Sequence, residues 1–334
     1  MQDILITGAN GFIGSNLCRY FLKNNYNVYG LVRKTSDLHF LEDLNIKLIY
    51  GDLNEAEKIK FPENLDIIIH SASLVSDIAD DKSCEKNIYN MTKKFVNHII
   101  ERGINLRKFI YISTALVLGY CKLNISEENP GKSALFLPYT KYKLETEKYL
   151  LGAHREHNFP VVILRPADVY GPNDRTTCIH ILKGIEDGIP LIVGRGKWIF
   201  GYCYVENLCL AACLVCETTE NIEGRAYTIT NDSNITWREF FSVFLKRLNK
   251  KQFIYTPVSV AHLVAFSMKI INFIVPSFKP SVTFYRIRRI TTHTSYDISK
   301  TIKELNYIPH KNTEKQLNSI VDWYMSEKSA GHIK

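Results

Sequence analysis

The stretch that most constrains this chain is Asp3-Ile4-Leu5-Ile6-Thr7-Gly8-Ala9-Asn10-Gly11-Phe12-Ile13-Gly14. Ile4, Leu5 and Ile6 predict a short buried strand, and the residues from Phe12 to Asn24 predict a helix, with Gly8, Gly11 and Gly14 in and just after the turn between them. A side chain at those positions would hold an anion away from the backbone N–H groups and from the positive end of the helix. A glycine triplet alone is a weak signal. The strand before it and the helix after it make it a cradle for a dinucleotide pyrophosphate.

Further apolar runs follow at regular intervals: Asn27 to Val32, Ile46 to Tyr50, Asp66 to His70 and Lys108 to Ser113, with a helix predicted from Ser83 to Glu101. Alternating strands and helices predict a parallel sheet, whose carboxyl edge is where ligands bind. The residue closing the second strand meets the adenosine ribose. A carboxylate there would accept from the 2′-hydroxyl of NAD, whereas Arg33 can neutralise the 2′-phosphate of NADP, so NADP is favoured over NAD. Ser71, Ala72 and Ser73 end the fourth strand with residues small enough for a cofactor to lie against the backbone. At the end of the fifth, Ser113 and Thr114 place two hydroxyls on the ligand edge, available for chemistry as well as capping.

After Pro138 a helix is predicted from Tyr139 to His157. Tyr139 and Lys143, four apart, share a helix face, where an ammonium can favour a phenolate. Bringing a phenol from a pKa near 10 to near 7 takes roughly 4 kcal/mol. Such a tyrosine exchanges protons at neutral pH. In a chain with 19 tyrosines the spacing alone also fits an ordinary exposed pair.

Composition excludes several other classes. The 334 residues are 46% hydrophobic, enough for a sizeable core. Eight cysteines without framework spacing, and no basic-then-apolar leader after Met1, predict free thiols and a cytoplasmic protein. Cys209, Cys213 and Cys216 fall at helical spacing among leucines and read as core; no metal site is predicted. The net charge of +8 is moderate and no basic run resembles a nucleic-acid arm.

The distribution of charge is more informative. Between Glu239 and Asp297 no acidic residue occurs, while Lys246, Arg247, Lys250, Lys251, Lys269, Lys279, Arg286, Arg288 and Arg289 do. Within this stretch, Val258 to Phe278 is strongly apolar but interrupted by Lys269 and closed by Pro276, too short for a confident membrane span. It reads either as a buried helix or as a lid or surface that meets a lipid-like substrate or a membrane face, so weak peripheral membrane contact is one expectation.

Taken together these residues resemble the extended short-chain dehydrogenase/reductases, also called the NAD-dependent epimerase/dehydratase superfamily. Thr7 to Gly14 looks like its TGxxGxxG turn, Gly51-Asp52-Leu53 its adenine-contacting GDL, and Tyr139 with Lys143 its YxxxK pair. Leu164 to Pro172, Tyr204-Val205-Glu206-Asn207 and Tyr296-Asp297 with Leu305 to Pro309 also look like strings of that family. The resemblance implies an α/β fold: a doubly wound parallel Rossmann sheet with a smaller, discontinuous carboxyl-terminal substrate-binding region. The dinucleotide-binding part would cover 1–170 plus a strand near 226–230, and the substrate region 171–225 and 231–328.

The cofactor would meet Gly8, Asn10, Gly11, Phe12, Ile13, Gly14, Arg33, Asp52, Leu53, Ser71, Ala72, Ser73, Lys143, Pro166 and Val169. Tyr139 would move the hydroxyl proton, Lys143 would lower the tyrosine pKa and hold the nicotinamide ribose, and Thr114, with Ser113 as fallback, would bind the substrate oxygen. Dehydratases of the family carry Asp-Glu just after the threonine; Ala115 and Leu116 stand here, which argues against dehydration. Phe200 stands where sugar epimerases tend to carry arginine, and Leu118 where a tyrosine is often seen, a drift towards the 3β-hydroxysteroid dehydrogenase-like and dihydroflavonol reductase-like branches. The expected activity is alcohol/ketone interconversion on a partly apolar small molecule with NADP or NAD; the alternative is a nucleotide-sugar epimerase. A regulator without turnover would show a broken triad, and Thr114, Tyr139 and Lys143 are all present. A homodimer is one assembly this reading allows.

Overall fold

Ile4, Leu5 and Ile6 are fully buried in β1 (Asp3–Thr7), the strand from which the sheet is wound in both directions. The computed structural model describes residues 1–189, 192–250, 255–275 and 277–333. Lys251 and Pro276 therefore lie outside the described residues. After β1 come α1 (Phe12–Lys23), β2 (Asn27–Val32), β3 (Lys47–Tyr50) and β4 (Leu65–His70). Helix α2 (Asp81–Cys84) runs through a π-helical turn, Glu85–Asn90, into α3 (Met91–Glu101). Then follow β5 (Lys108–Ile112), α4 (Pro138–His157), β6 (Val161–Pro166) and β7 (Asp168–Tyr170).

The remaining elements are α5 (Cys178–Glu186), β8 (Ile192–Val193), β9 (Ile199–Phe200), β10 (Tyr202–Tyr204), α6 (Val205–Glu217), β11 (Arg225–Ile229), β12 (Ile235–Thr236), α7 (Trp237–Arg247), β13 (Tyr255–Thr256), α8 (Val258–Ile274), α9 (Phe284–Ile290), α10 (Ser299–Leu305) and α11 (Thr313–Ser329).

Seven strands form one sheet in the order β11-β6-β5-β4-β1-β2-β3, and every pair in it is parallel. The winding reverses at β1, between β2 on one side and β4 on the other. In an open parallel sheet that reversal opens a crevice at the carboxyl edge, and the glycine turn sits in it. Helices cover both faces. Leu17, Cys18 and Phe21 of α1 pack on one face with Cys209, Cys213 and Cys216 of α6, so the cysteine trio is core. Phe95 and Ile99 of α3 and Leu150 and Ala153 of α4 cover the other.

β11 joins the sheet beside β6, while the segments flanking it build a second, aromatic cluster from Tyr170, Phe200, Tyr202, Trp237, Phe240 and Tyr324. Thr236 and Glu239 form the reciprocal capping box that starts α7. Helix α8 departs from this burial pattern. Only Ala261 and Ala265 of its residues are buried, so the reading of 258–278 as a buried helix fails: the helix is apolar on all sides, but neighbouring elements cover only its small-residue stripe. Among the described residues no helix is long and apolar enough to cross a membrane.

Candidate active site

Gly8 has a left-handed backbone (φ 64°), and a Cβ there would lie 2.9 Å from Ala72 Cα. One on Gly14 would lie 2.1 Å from the Gly8 carbonyl oxygen, so turn and helix touch through backbone and no side chain fits between them. Gly11 caps α1 with no side-chain hydrogen bond, and the first turn holds no acidic residue. The positive helix end is open at Asn10, Gly11, Phe12 and Ile13, none of which is buried. This donor set fits the pyrophosphate of a dinucleotide.

The cradle is braced from β4. The Thr7 hydroxyl accepts from the Ala72 N–H (3.2 Å) and donates to His70 Nδ1 (2.9 Å); His70 Nε2 donates to Thr92 Oγ1 (2.9 Å), which donates to the Ile88 carbonyl (2.7 Å). A neutral imidazole satisfies this chain. Burial, with the Lys143 ammonium adding to it, pushes His70 down to about 3. Ser71 Oγ donates to the Thr7 carbonyl (2.6 Å), and Ser73 is half-buried.

At the neighbouring strand ends Asp52 accepts from the Asn54 N–H (2.8 Å) and Leu53 is buried. Arg33 is exposed, and among the described residues no carboxylate engages its guanidinium. Pro166 is buried at the end of β6 and Val169 is half-buried. The loop after β7 reaches back to α1, where Asn16 Nδ2 donates to the Pro172 carbonyl (2.9 Å) and Asn173 Nδ2 to Ser15 Oγ (3.1 Å).

Pro138 at the start of α4 sets the helix entry, so Tyr139, Lys143 and Glu147 succeed one another along one face. Lys143 is buried, donates to the Ile112 carbonyl (2.8 Å) and lies 4.8 Å from the Tyr111 ring centroid and 6.0 Å from that of Tyr139. Burial pushes its pKa down to about 7, opposed by the Glu147 carboxylate. Burial also raises Tyr139 above its ordinary value; a hydrogen bond with Thr114 and the charge of Arg289 act the other way, while Asp168 adds to the rise. Burial outweighs both the Thr114 hydrogen bond and the Arg289 charge. In this arrangement Tyr139 is a phenol.

The two candidate hydroxyls are used differently. Ser113 Oγ donates to Glu147 (2.5 Å), whose carboxylate is also gripped by Arg165 through Nε (3.1 Å to each oxygen) and Nη2 (2.6 Å). Thr114 instead faces Tyr139 and caps the turn at Leu116 (3.3 Å). Thr114→Val should therefore lower kcat about 10- to 100-fold, the range for a hydrogen bond to a group that carries charge during reaction. Ser113→Ala should leave kcat within about threefold and appear instead as lost thermal stability. Steady-state rates and melting curves of the two variants check this.

Leu74 and Ala79 pack in the cluster that includes Tyr139, and Leu116, Tyr120, Leu137 and Tyr285 form another beside it. Two arginines of α9 reach this region already paired. Arg289 bonds Asp168, and Arg286 grips Asp77 with two bonds (2.6 and 2.7 Å). Their charge is thus already met by carboxylates of this chain. Phe200, at the position where sugar epimerases tend to carry arginine, is 2% exposed and stacked on Trp237 at 3.7 Å and 4°, because β9 pairs with β12 and brings it into the aromatic core.

A model of the NAD dependent epimerase/dehydratase family matches residues 4–230. The chain belongs to this family. The family is one of enzymes, and the Rossmann-like sheet is its fold. Among its relatives, the sterol-4-alpha-carboxylate 3-dehydrogenase (decarboxylating) of Candida albicans is 24% identical over 97% of both chains. The 2-alkyl-3-oxoalkanoate reductase of Shewanella oneidensis is 28% identical over 73% of this chain and 66% of its own. Among solved structures, UDP-glucuronic acid 4-epimerase of Bacillus cereus in complex with NAD superposes with a TM-score of 0.77, at 24% identity over 96% of both chains.

Sequence reasoning missed Glu147, Arg165, His70 and the pairs Asp168–Arg289 and Asp77–Arg286. Only Glu147 carried a local signal, four residues beyond Lys143 on the same helix face. The others are joined by tertiary contacts alone.

Proposed function

We propose that this family member is an NAD(P)-dependent oxidoreductase that interconverts a secondary alcohol and a ketone on a partly apolar small molecule. The observation that carries the reading is the neighbourhood of Tyr139: an apolar surround, a threonine hydroxyl, and arginines already neutralised by Asp77 and Asp168. A phosphate-bearing substrate needs free donors to replace its water, whereas an apolar ring or chain does not. Ala115 and Leu116 are both buried, and neither side chain can carry a proton for loss of water.

When bound, the nicotinamide supplies or accepts the hydride. The chain's own groups do the rest. Thr114 would orient the substrate oxygen, Tyr139 as a phenol would donate its proton to that oxygen as the ketone is reduced, and Lys143, held between Ile112 and Tyr111, would be the residue to hold the cofactor ribose. The epimerase reading is favoured by one observation, the guanidinium of Arg289 beside Tyr139, which could release Asp168 for a substrate anion. Assay of the purified protein with NADPH or NADH against hydrophobic ketones and nucleotide sugars separates the two. Turnover of nucleotide sugars alone, with NAD retained through purification, would sink the oxidoreductase reading.

Exposed Arg33 after β2, with no carboxylate partner among the described residues, supports a preference for NADP. Arg33→Asp should weaken NADPH binding by about 10-fold or more and improve NADH binding, because a charge-assisted contact to the 2′-phosphate is lost and an acceptor for the ribose is gained. Fluorescence titration of both nucleotides checks it. Equal affinities, unchanged in the variant, would leave Arg33 a surface cation.

A further inference from the structure

We infer that helix α8 is a membrane-contacting element that lies in the plane of an anionic bilayer surface. The helix is held to the protein along a single narrow stripe: Ala261 and Ala265 pack on Val193 and Ile287, with Val258, Val282 and Ile290 around them. Apart from the contacts of His262 with Phe284, Met268 with Val282 and Asn272 with Phe278, the rest of its circumference carries large apolar side chains that are exposed. Phe273 is 87% exposed, Ile274 71%, Leu263 65% and Phe266 53%, and Phe284 of α9, stacked on His262 at the other end, is 44% exposed. Scattered exposed leucines are ordinary, but a contiguous apolar face of this kind marks a surface that something covers.

Two features select the occupant. The helix has 17 residues, about 25 Å at 1.5 Å per residue, and does not qualify as a span, so it lies on a bilayer rather than through it. Charge then separates a bilayer from a second copy of the chain. From Phe240 to Tyr296 there is no acidic residue, and Lys269, Lys279 and Arg288 are exposed with no carboxylate partner among the described residues. Packing α8 on its symmetry mate would bring those cations together with no anion of the segment to meet them. Lipid phosphates meet them directly. Arg286 and Arg289, held by Asp77 and Asp168, take no part. Because α9 carries both the α8 contact at Ile287 and the Tyr285 ring beside the Tyr139 pocket, docking of α8 brings the cleft close to the lipid.

The test uses the full chain and sedimentation with vesicles of phosphatidylcholine alone or with one phosphatidylglycerol for every two phosphatidylcholines. The expected result is pelleting with the mixed vesicles, reduced in high salt and weak with phosphatidylcholine alone. The double variant Phe266→Ser, Phe273→Ser should lose about tenfold in partitioning while keeping its melting temperature and solution turnover, since neither residue supports the fold. Lys269→Gln with Lys279→Gln should abolish the preference for the mixed vesicles. Wild-type protein left in the supernatant with both vesicle types would overturn the inference. So would a stable dimer in light scattering that the serine variant dissociates, which would assign the face to self-association.

Discussion

Tyr139→Phe is expected to lower kcat by roughly 10²- to 10⁴-fold, the range for a positioned proton transfer, while leaving nucleotide affinity nearly unchanged. The variant keeps the ring that packs with Leu74, Ala79 and Ile88 and removes only the hydroxyl that meets Thr114. The glycine cradle is built from β1, α1 and β4 and does not involve Tyr139. The pH profile carries a second readout. Tyr139 lies above its ordinary value and Lys143 near 7, so a limb near neutrality in the wild type belongs to the lysine and should survive in the residual activity of the phenylalanine variant. Retention of a tenth or more of wild-type kcat would remove Tyr139 from the acid/base role.

Phe200→Ala is expected to destabilise the protein by about 3–5 kcal/mol, as other buried Phe truncations do. That corresponds to a fall in melting temperature of roughly 4–7 °C for a chain of this size. The ring is stacked on Trp237 and meets Tyr170, Tyr202 and Phe240 edge-on or tilted, so its loss opens a cavity that the surrounding aromatic side chains cannot fill without leaving their own contacts. Phe200→Arg should be worse, because the charge would be buried with no partner. Thermal denaturation of the alanine variant is the measurement. An unchanged melting temperature with altered substrate binding would give Phe200 a role in the pocket rather than in the core.

The contrast between these two residues shows what could be read in advance. Tyr139 follows Pro138 and precedes Lys143 by one turn, so its helix, its face and its companion are all encoded within a few residues. Thr114 was legible as a hydroxyl at a strand end. Ser113, one position earlier, was legible in the same way, yet alternation along the chain turns it to Glu147 and Arg165 on the far side of that edge. Which of two adjacent hydroxyls meets the tyrosine was settled by what stood behind each.

The charges show the same division at longer range. The stretch before Asp297 holds nine cations and no acidic residue. Arg286 and Arg289, however, find carboxylates 209 and 121 residues away in sequence, whereas Lys269, Lys279 and Arg288 are exposed with no carboxylate partner among the described residues. Helix α8 is readable as apolar and helical, but whether an apolar helix is buried depends on which elements fold over it, and here only a two-alanine stripe is covered.

By itself the sequence determined the alternation of strand and helix, the glycine turn at the point where the sheet reverses, and the Tyr-Lys face of α4. Each follows from interactions within a turn or two of backbone: steric freedom at glycine, φ fixed at proline, and side-chain periodicity. The tertiary structure decided that Phe200 is core, that two arginines are spent on Asp77 and Asp168, that Lys143 sits near neutrality, and that α8 faces outward. Those outcomes depend on desolvation and on partners distant in sequence, and burial and pairing exist only once the chain has closed on itself.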